Sequence, residues 1–175
     1  METIEEEPVR EAIVTDKAPK PLGPYSQAII EGDFIFVAGQ GCSNPQTGKL
    51  ELGDVGSETW RTFENIRAIL DAAGSSLDDV VKCNVYLRDI KDFGAMNEVY
   101  AKFFKAPFPA RTTIQAGALP GGIAVEIECI ARKGRYWKRS ISIHLRSTSI
   151  STPSSATSLG CSRNVVTGAS SSGRT

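Results

Sequence analysis

The sequence predicts an α+β domain, a mixed β-sheet with two helices on one of its faces. Three observations carry this reading. Two stretches repeat apolar residues at helical spacing. Several short runs are rich in β-branched and aromatic residues, some with strict alternation. The two kinds of segment follow one another in the order β-β-β-α-β-α-β-β, so each helix lies between strands and both can cover the same face.

Each element has its own local signal. Ile13–Thr15 is a short β start. Pro19, Pro21, Gly23 and Pro24 then force an extended, turn-rich path. Tyr25–Ile30 and Phe34–Gly39 read as strands joined through Glu31-Gly32-Asp33 as a hairpin. Asn44-Pro45-Gln46-Thr47-Gly48 is a loop. From Ser57 to Ala73, the positions Trp60, Phe63, Ile66, Ile69, Leu70 and Ala73 form a helical stripe, and Gly74 supplies the stop. Val80–Arg88 is a strand that puts Val81, Cys83, Val85 and Leu87 on one face. Asp92 caps a second helix running to Phe104, with Phe93, Met96, Val99, Tyr100 and Phe103 as its stripe. Pro107 and Pro109 end it. Arg111–Ala116 is a strand, Leu119-Pro120-Gly121-Gly122 a turn, and Ala124–Arg132 the last strand. Phe34, Phe36, Val85, Leu87 and Ile127 offer more apolar surface than two helices can cover. The uncovered sheet face is therefore expected to self-associate.

The 175 residues, 41% of them hydrophobic, suit one domain with appendages. We divide the chain into an acidic N-terminal extension (1–11), a folded body (12–133) and a tail (134–175). The formal net charge of zero is a sum of opposites: residues 1–131 carry −8 and residues 132–175 carry +8. Residues 139–175 contain twelve Ser and five Thr, few large apolar residues and no acids. Such composition is expected to remain disordered. Its scattered bases read either as an inert appendage or as a basic arm for RNA or an acidic partner.

Several classes are excluded or disfavoured. No apolar run approaches the ~18 residues of a membrane span. The Glu-rich Met1–Arg10 has the layout of neither a secretory signal nor a transit peptide, so a cytoplasmic location is expected. Cys42, Cys83, Cys129 and Cys161 show no C-x-x-C spacing and are expected as free thiols. The one histidine, His144, lies in the tail, which disfavours a Ser-His-Asp or Cys-His nucleophile in the body. No zinc-ligand spacing and no phosphate-binding glycine motif occurs. Catalysis in the body must then use Arg, carboxylates, Tyr, amides, backbone groups and water.

Val125-Glu126-Ile127-Glu128-Cys129 places two carboxylates on one strand face. Like charges so close call for a cation, and Arg111 on a neighbouring strand is the expected one. The arrangement reads as a surface ion pair or as a pocket where Arg111 grips a carboxylate and a Glu manages water. Phe108-Pro109-Ala110-Arg111 stiffens the approach to that arginine. Tyr25, in Gly23-Pro24-Tyr25-Ser26-Gln27, is either a hairpin residue or a pocket wall. Asn97 on the second helix reads by itself as solvated.

Together these segments resemble the reactive intermediate deaminase family, the RidA group also called YjgF. The matching residues are Ala18-Pro19, Gly23-Pro24-Tyr25-Ser26-Gln27-Ala28, Gly39-Gln40, Asn44-Pro45, Thr47-Gly48 and Ala72-Ala73-Gly74. They continue through Asp89, Phe93, Asn97, Tyr100, Phe103-Phe104, Pro109-Ala110-Arg111, Leu119-Pro120 and Glu126-Ile127-Glu128. The resemblance implies a chorismate-mutase-like fold and a homotrimer whose sheets form a barrel, with active sites in the clefts between subunits. It implies hydrolysis of 2-iminobutanoate, 2-iminopropanoate and similar imines to 2-oxo acids and ammonia, without a cofactor. Pyridoxal-phosphate-dependent dehydratases would supply those substrates. Arg111 matches the carboxylate-binding arginine and Glu126 the glutamate that positions water. Tyr25, Gly39 and Asn97 match pocket-lining positions. Thr113 and Ala38 depart from the cysteine and serine of many bacterial members. Some animal relatives are described as endoribonucleases or translation inhibitors, but an acidic body makes nucleic acid an unfavoured partner. A non-catalytic metabolite-binding trimer is the remaining alternative.

Overall fold

The computed structural model describes residues 10–134, so the expectations for the N-terminal extension and the tail, His144 included, fall almost wholly outside the described residues. The expected element order is observed. Strands β1 (Glu11–Ile13), β2 (Ala28–Glu31) and β3 (Phe34–Gln40) lead to helix α1 (Val55–Ala72). Strand β4 (Val80–Leu87), helix α2 (Phe93–Phe103), β5 (Ala110–Gln115) and β6 (Val125–Arg132) follow. The sheet runs β1-β2-β3-β6-β4-β5 and is open. All its pairs are antiparallel except β4–β5, which α2 connects as a crossover.

Local chemistry sets the boundaries. Asp54, in extended backbone, accepts from Ser57 N at 2.8 Å, so α1 starts two residues before Ser57. At its other end Gly74 takes φ 68° and Ser75 N reaches back to Leu70 O, closing the helix with a left-handed residue. Gly32, also at positive φ, makes the two-residue β2–β3 turn. Strand β2 begins at Ala28 rather than Tyr25, because Gln27 turns its side chain onto the preceding segment. Its amide receives Thr15 N and donates to the carbonyls of Thr15, Ala18 and Pro19. Asp92 makes no side-chain cap for α2, whereas Asp89 caps the single turn before it by accepting from Lys91 N.

The core lies between the helices and one sheet face. Phe63, Ile66, Ile69 and Leu70 of α1, with Met96, Tyr100 and Phe103 of α2, cover Ile35, Val37, Cys83, Val85, Leu87, Ile127 and Cys129. Phe63 stacks on Phe103 at 4.7 Å between centroids and meets Tyr100 edge-on at 5.5 Å. Burial of this kind contributes about 25 cal/mol per Å² of apolar surface. Cys42, Cys83 and Cys129 are free and buried.

Three assignments of facing change. Val85, Leu87 and Ile127 lie under the helices, not on the uncovered face. Val81 leaves its expected row because the β4–β6 ladder slips between Val80 and Lys82, which turns Val81 outward as a bulge. Phe93 and Trp60 are half-exposed rather than core members of their stripes. The uncovered face does carry apolar residues: Phe34, Phe36 and Ile114 are 43%, 45% and 48% exposed, and Phe36 pairs with Ile29 and Ile130. No helix among the described residues is long and apolar enough to cross a membrane.

Candidate functional site

Register separates the predicted residues into two groups. Glu126 pairs with Tyr86, and Glu128 pairs with Asn84, all four pointing to the uncovered face. Arg111 pairs with Cys83, which pairs with Cys129, so Arg111 belongs to the helix-covered face. Strand β4 also lies between β5 and β6. The expected ion pair between Arg111 and the two glutamates therefore does not form within one chain. Local sequence defines which residues share a strand face but not which strands adjoin, and here the intervening strand and the opposite facing both exclude the contact.

The first group lines a cavity of about 850 Å³ with Tyr25, Ala38, Gly39, Glu126 and Glu128 among its walls. A bulge in β3 between Val37 and Gln40 places Gly39 against Glu126. A Cβ at Gly39 would overlap Glu126 Oε1 and lie 3.1 Å from its Cδ. Glycine here is a clearance for the carboxylate, not a turn residue. The bulge is held from both sides: Ala38 N donates to Gln27 O, and Gln40 Nε2 donates to Ala38 O. Tyr25, about half exposed, accepts from Leu22 N on its phenolic oxygen at 3.1 Å, which fixes the ring at the rim.

Electrostatics distinguish the two glutamates. Burial, and then the charge of Glu128, raises the Glu126 carboxyl above its ordinary value. Glu128 Oε1 accepts from Asn84 Nδ2 at 2.7 Å and from Tyr86 Oη at 3.1 Å. Burial and the Glu128 charge likewise push the Tyr86 phenol up. No group of three or more metal-ligating residues occurs among the described residues.

The second group surrounds Arg111. Its guanidinium lies 4.5 Å from the Tyr100 ring centroid and 5.5 Å from that of Phe93. Phe93, Asn97 and Tyr100 are spaced by four and three residues on α2, so half-buried Asn97 stands between the two rings. The hydroxyls of Tyr100 and Thr113 are buried without a nitrogen or oxygen partner. Thr113 thus holds a polar atom on the same sheet face as Arg111.

Sequence reasoning missed the supports. Glu58 is 1% exposed and accepts from Gly53 N at 3.1 Å and Ala124 N at 2.6 Å, tying the start of α1 to the entry of β6. Asn65 Nδ2 donates to Gly41 O and Ser43 O and so fixes the loop after β3. The available signal was polar residues at helix-core spacing: Glu58, Thr62 and Asn65. For Asn84 and Tyr86 it was their alternation with Cys83, Val85 and Leu87.

The comparisons agree with this architecture. The family model described as Endoribonuclease L-PSP matches residues 15–133. A RutC family protein of Pyrococcus abyssi is 53% identical over 124 residues, which is 71% of this chain and 98% of the relative. The human 2-iminobutanoate/2-iminopropanoate deaminase is 44% identical over 126 residues, 72% of this chain and 92% of the relative. The crystal structure of Escherichia coli TdcF with bound serine superposes with a TM-score of 0.67 at 38% identity, covering 71% of this chain and 99% of that one. Matched over two-thirds of its own length and nearly all of these relatives', the chain belongs to the endoribonuclease L-PSP family, the RidA/YjgF group that its motifs resemble.

Proposed function

We propose that the protein hydrolyses reactive 2-imino acids, such as 2-iminobutanoate and 2-iminopropanoate, to 2-oxo acids and ammonium, in sites shared between adjacent copies of a homotrimer. The observation that carries this reading is the division of the site. Arg111 and Asn97 stand on one face, where they would bind the carboxylate, and Glu126 stands with Gly39 and Tyr25 on the other, where it would handle the proton. Each lacks what the other has. The exposed Phe34, Phe36 and Ile114 supply the apolar surface through which copies would pack. The human relative's name specifies this reaction, and TdcF binds an amino acid.

The chemistry needs no side-chain nucleophile. In the protonated imine the carbon is already electrophilic. Water adds to it, the nitrogen departs as ammonia after taking a proton, and the oxygen loses its protons to leave a carbonyl. Iminium plus water thus becomes ketone plus ammonium, with no net redox change. Arg111 binds the substrate carboxylate through its planar fork, which lies over the Tyr100 and Phe93 rings. Glu126 takes a proton from water and returns one to the departing nitrogen. A carboxyl raised by burial suits both steps better than an ordinary one. No cofactor enters these steps, and dehydratases that use pyridoxal phosphate are the expected suppliers of substrate. The endoribonuclease reading is less favoured, because Glu126 and Glu128 outnumber Lys20 as charged groups in the cavity wall and oppose a phosphate there.

The test is complementation. Arg111→Ala and Glu126→Gln should each abolish accelerated 2-oxobutanoate formation when a threonine dehydratase generates the imine. Refolded together in equal amounts, the two variants should recover about a quarter of wild-type activity. That is the fraction of interfaces in a random ring that combine an intact arginine with an intact glutamate. Mixed oligomers with no recovery would refute the shared site. Binding of substrate by wild type without acceleration would leave a metabolite binder.

A further inference from the structure

Resting on that reading, the geometry points to a positioning residue behind Glu126. We propose that Glu128, tethered by Asn84 and Tyr86, fixes a negative charge beside Glu126 and so sets when Glu126 takes up and gives back the reaction's proton.

The two carboxylates are two residues apart on one strand face and line the same cavity, yet their contacts differ. Both tethers of Glu128 come from β4 and converge on a single oxygen, Oε1. Side chains held this way lose rotational freedom, so the charge stays in one place through the reaction. Glu126 has neither tether. Its oxygen Oε1 instead occupies the clearance left by Gly39 and faces the cavity. One glutamate is built to remain still, the other to exchange protons with a substrate.

The surroundings of Glu126 offer few competing charges. Across the ladder stands Tyr86, whose phenol is itself pushed up by burial and then by both glutamates. The β3 bulge contributes Ala38 and Gly39 and no ionisable group. The N-terminal loop contributes Tyr25 and Lys20 to the cavity wall. In the shared site, the neighbouring copy's arginine would enter with the substrate, and the substrate carboxylate would offset its charge. Glu128 is then the nearest persistent charge on the same strand. A like charge held close makes Glu126 a stronger base when ionised. It also makes Glu126 slower to part with a proton that the departing nitrogen needs, so the spacing sets a compromise between the two steps.

The experiment uses the full chain and reads two quantities. Carboxyl-labelled glutamate, titrated by carbon NMR and assigned with Glu126→Gln, reports the Glu126 midpoint independently of activity. The pH dependence of kcat/KM for 2-iminobutanoate reports its use. Glu128→Gln preserves an acceptor for both tethers and removes only the charge. It should move the Glu126 midpoint and the acid limb of the rate profile together to lower pH, with KM changed less than twofold. Tyr86→Phe retains the charge and should keep the midpoint raised. An unmoved midpoint in Glu128→Gln, or a fall in Tyr86→Phe as large as in Glu128→Gln, would overturn the proposal. So would a shifted midpoint with an unmoved rate limb. Absence of any wild-type turnover would instead refute the deaminase reading, and the midpoints would still report the coupling.

Discussion

Replacing Gly39 with alanine should separate folding from catalysis. The new methyl group would overlap Glu126 Oε1, 3.1 Å from Cδ and 3.4 Å from Cγ. Carbon and oxygen rest comfortably near ~3.5 Å, so the carboxylate oxygen must retreat by about 1 Å. The backbone raises no objection, since Gly39 lies outside the left-handed region that disfavours other residues. The displaced atoms are the end of a side chain facing a cavity, so relief is inexpensive for the fold. A compatible glycine-to-alanine change even gains about 0.4–1 kcal/mol through the unfolded state. Net stability should therefore change by less than about 1 kcal/mol. Catalysis is far less tolerant: a 1 Å misplacement of a reacting group costs about 10²-fold, or roughly 2.7 kcal/mol at the transition state. The dehydratase-coupled assay should show kcat down about a hundredfold, with urea unfolding changed by less than about 1 kcal/mol and the oligomeric state kept. Near-wild-type kcat in a folded Gly39→Ala protein would refute the clearance argument and the place of Glu126 in the reaction.

Two further outcomes follow from Glu58, which is buried, and Glu126, which is half-buried. Glu58→Ala frees the Gly53 amide to solvent and strands the buried Ala124 amide, and should cost about 1–3 kcal/mol in urea unfolding; a loss well below about 1 kcal/mol would show that water replaces the carboxylate. Glu126→Gln should raise the thermal midpoint at neutral pH even as it abolishes turnover. The folded-state proton affinity of Glu126 exceeds its unfolded value of 4.5, so its stabilisation is complete below that value and is lost as pH rises through the folded one. Glutamine keeps the neutral form at every pH, so its advantage should shrink as the solution is acidified, and an advantage growing toward acid would reverse the assigned sign.

How far the sequence discloses this molecule depends on the range of the interaction. Helices and strands announced themselves because periodicity is local: the stripe from Phe63 to Leu70 and the alternation from Val125 to Ala131 both survive into the structure. Glu126 and Glu128 sharing a face followed from the same rule. Local pattern joins Arg111 to the wrong neighbours, since strand order depends on pairings between segments remote in the chain. Val81 was misplaced by a single slipped residue that no composition signals. Glu58 escaped notice because its partners lie at Gly53 and Ala124, one near and one 66 positions away.

The Gln27 side chain has a consequence beyond anchoring. Its terminal amide is chemically a peptide group, and it meets both the N–H and the carbonyl of Thr15, as a neighbouring strand would. One side chain thus stands in for a length of main chain, and the path from Thr15 to Tyr25 needs no ladder of its own. Because those bonds reach only backbone atoms of the path, its exposed side chains, Lys20 and Leu22, can be exchanged while its course is kept. Leu22 and Lys20 form part of the cavity wall from within it. The rim of the proposed site is therefore a surface that substitution would retune for differently shaped substrates without disturbing the sheet beneath.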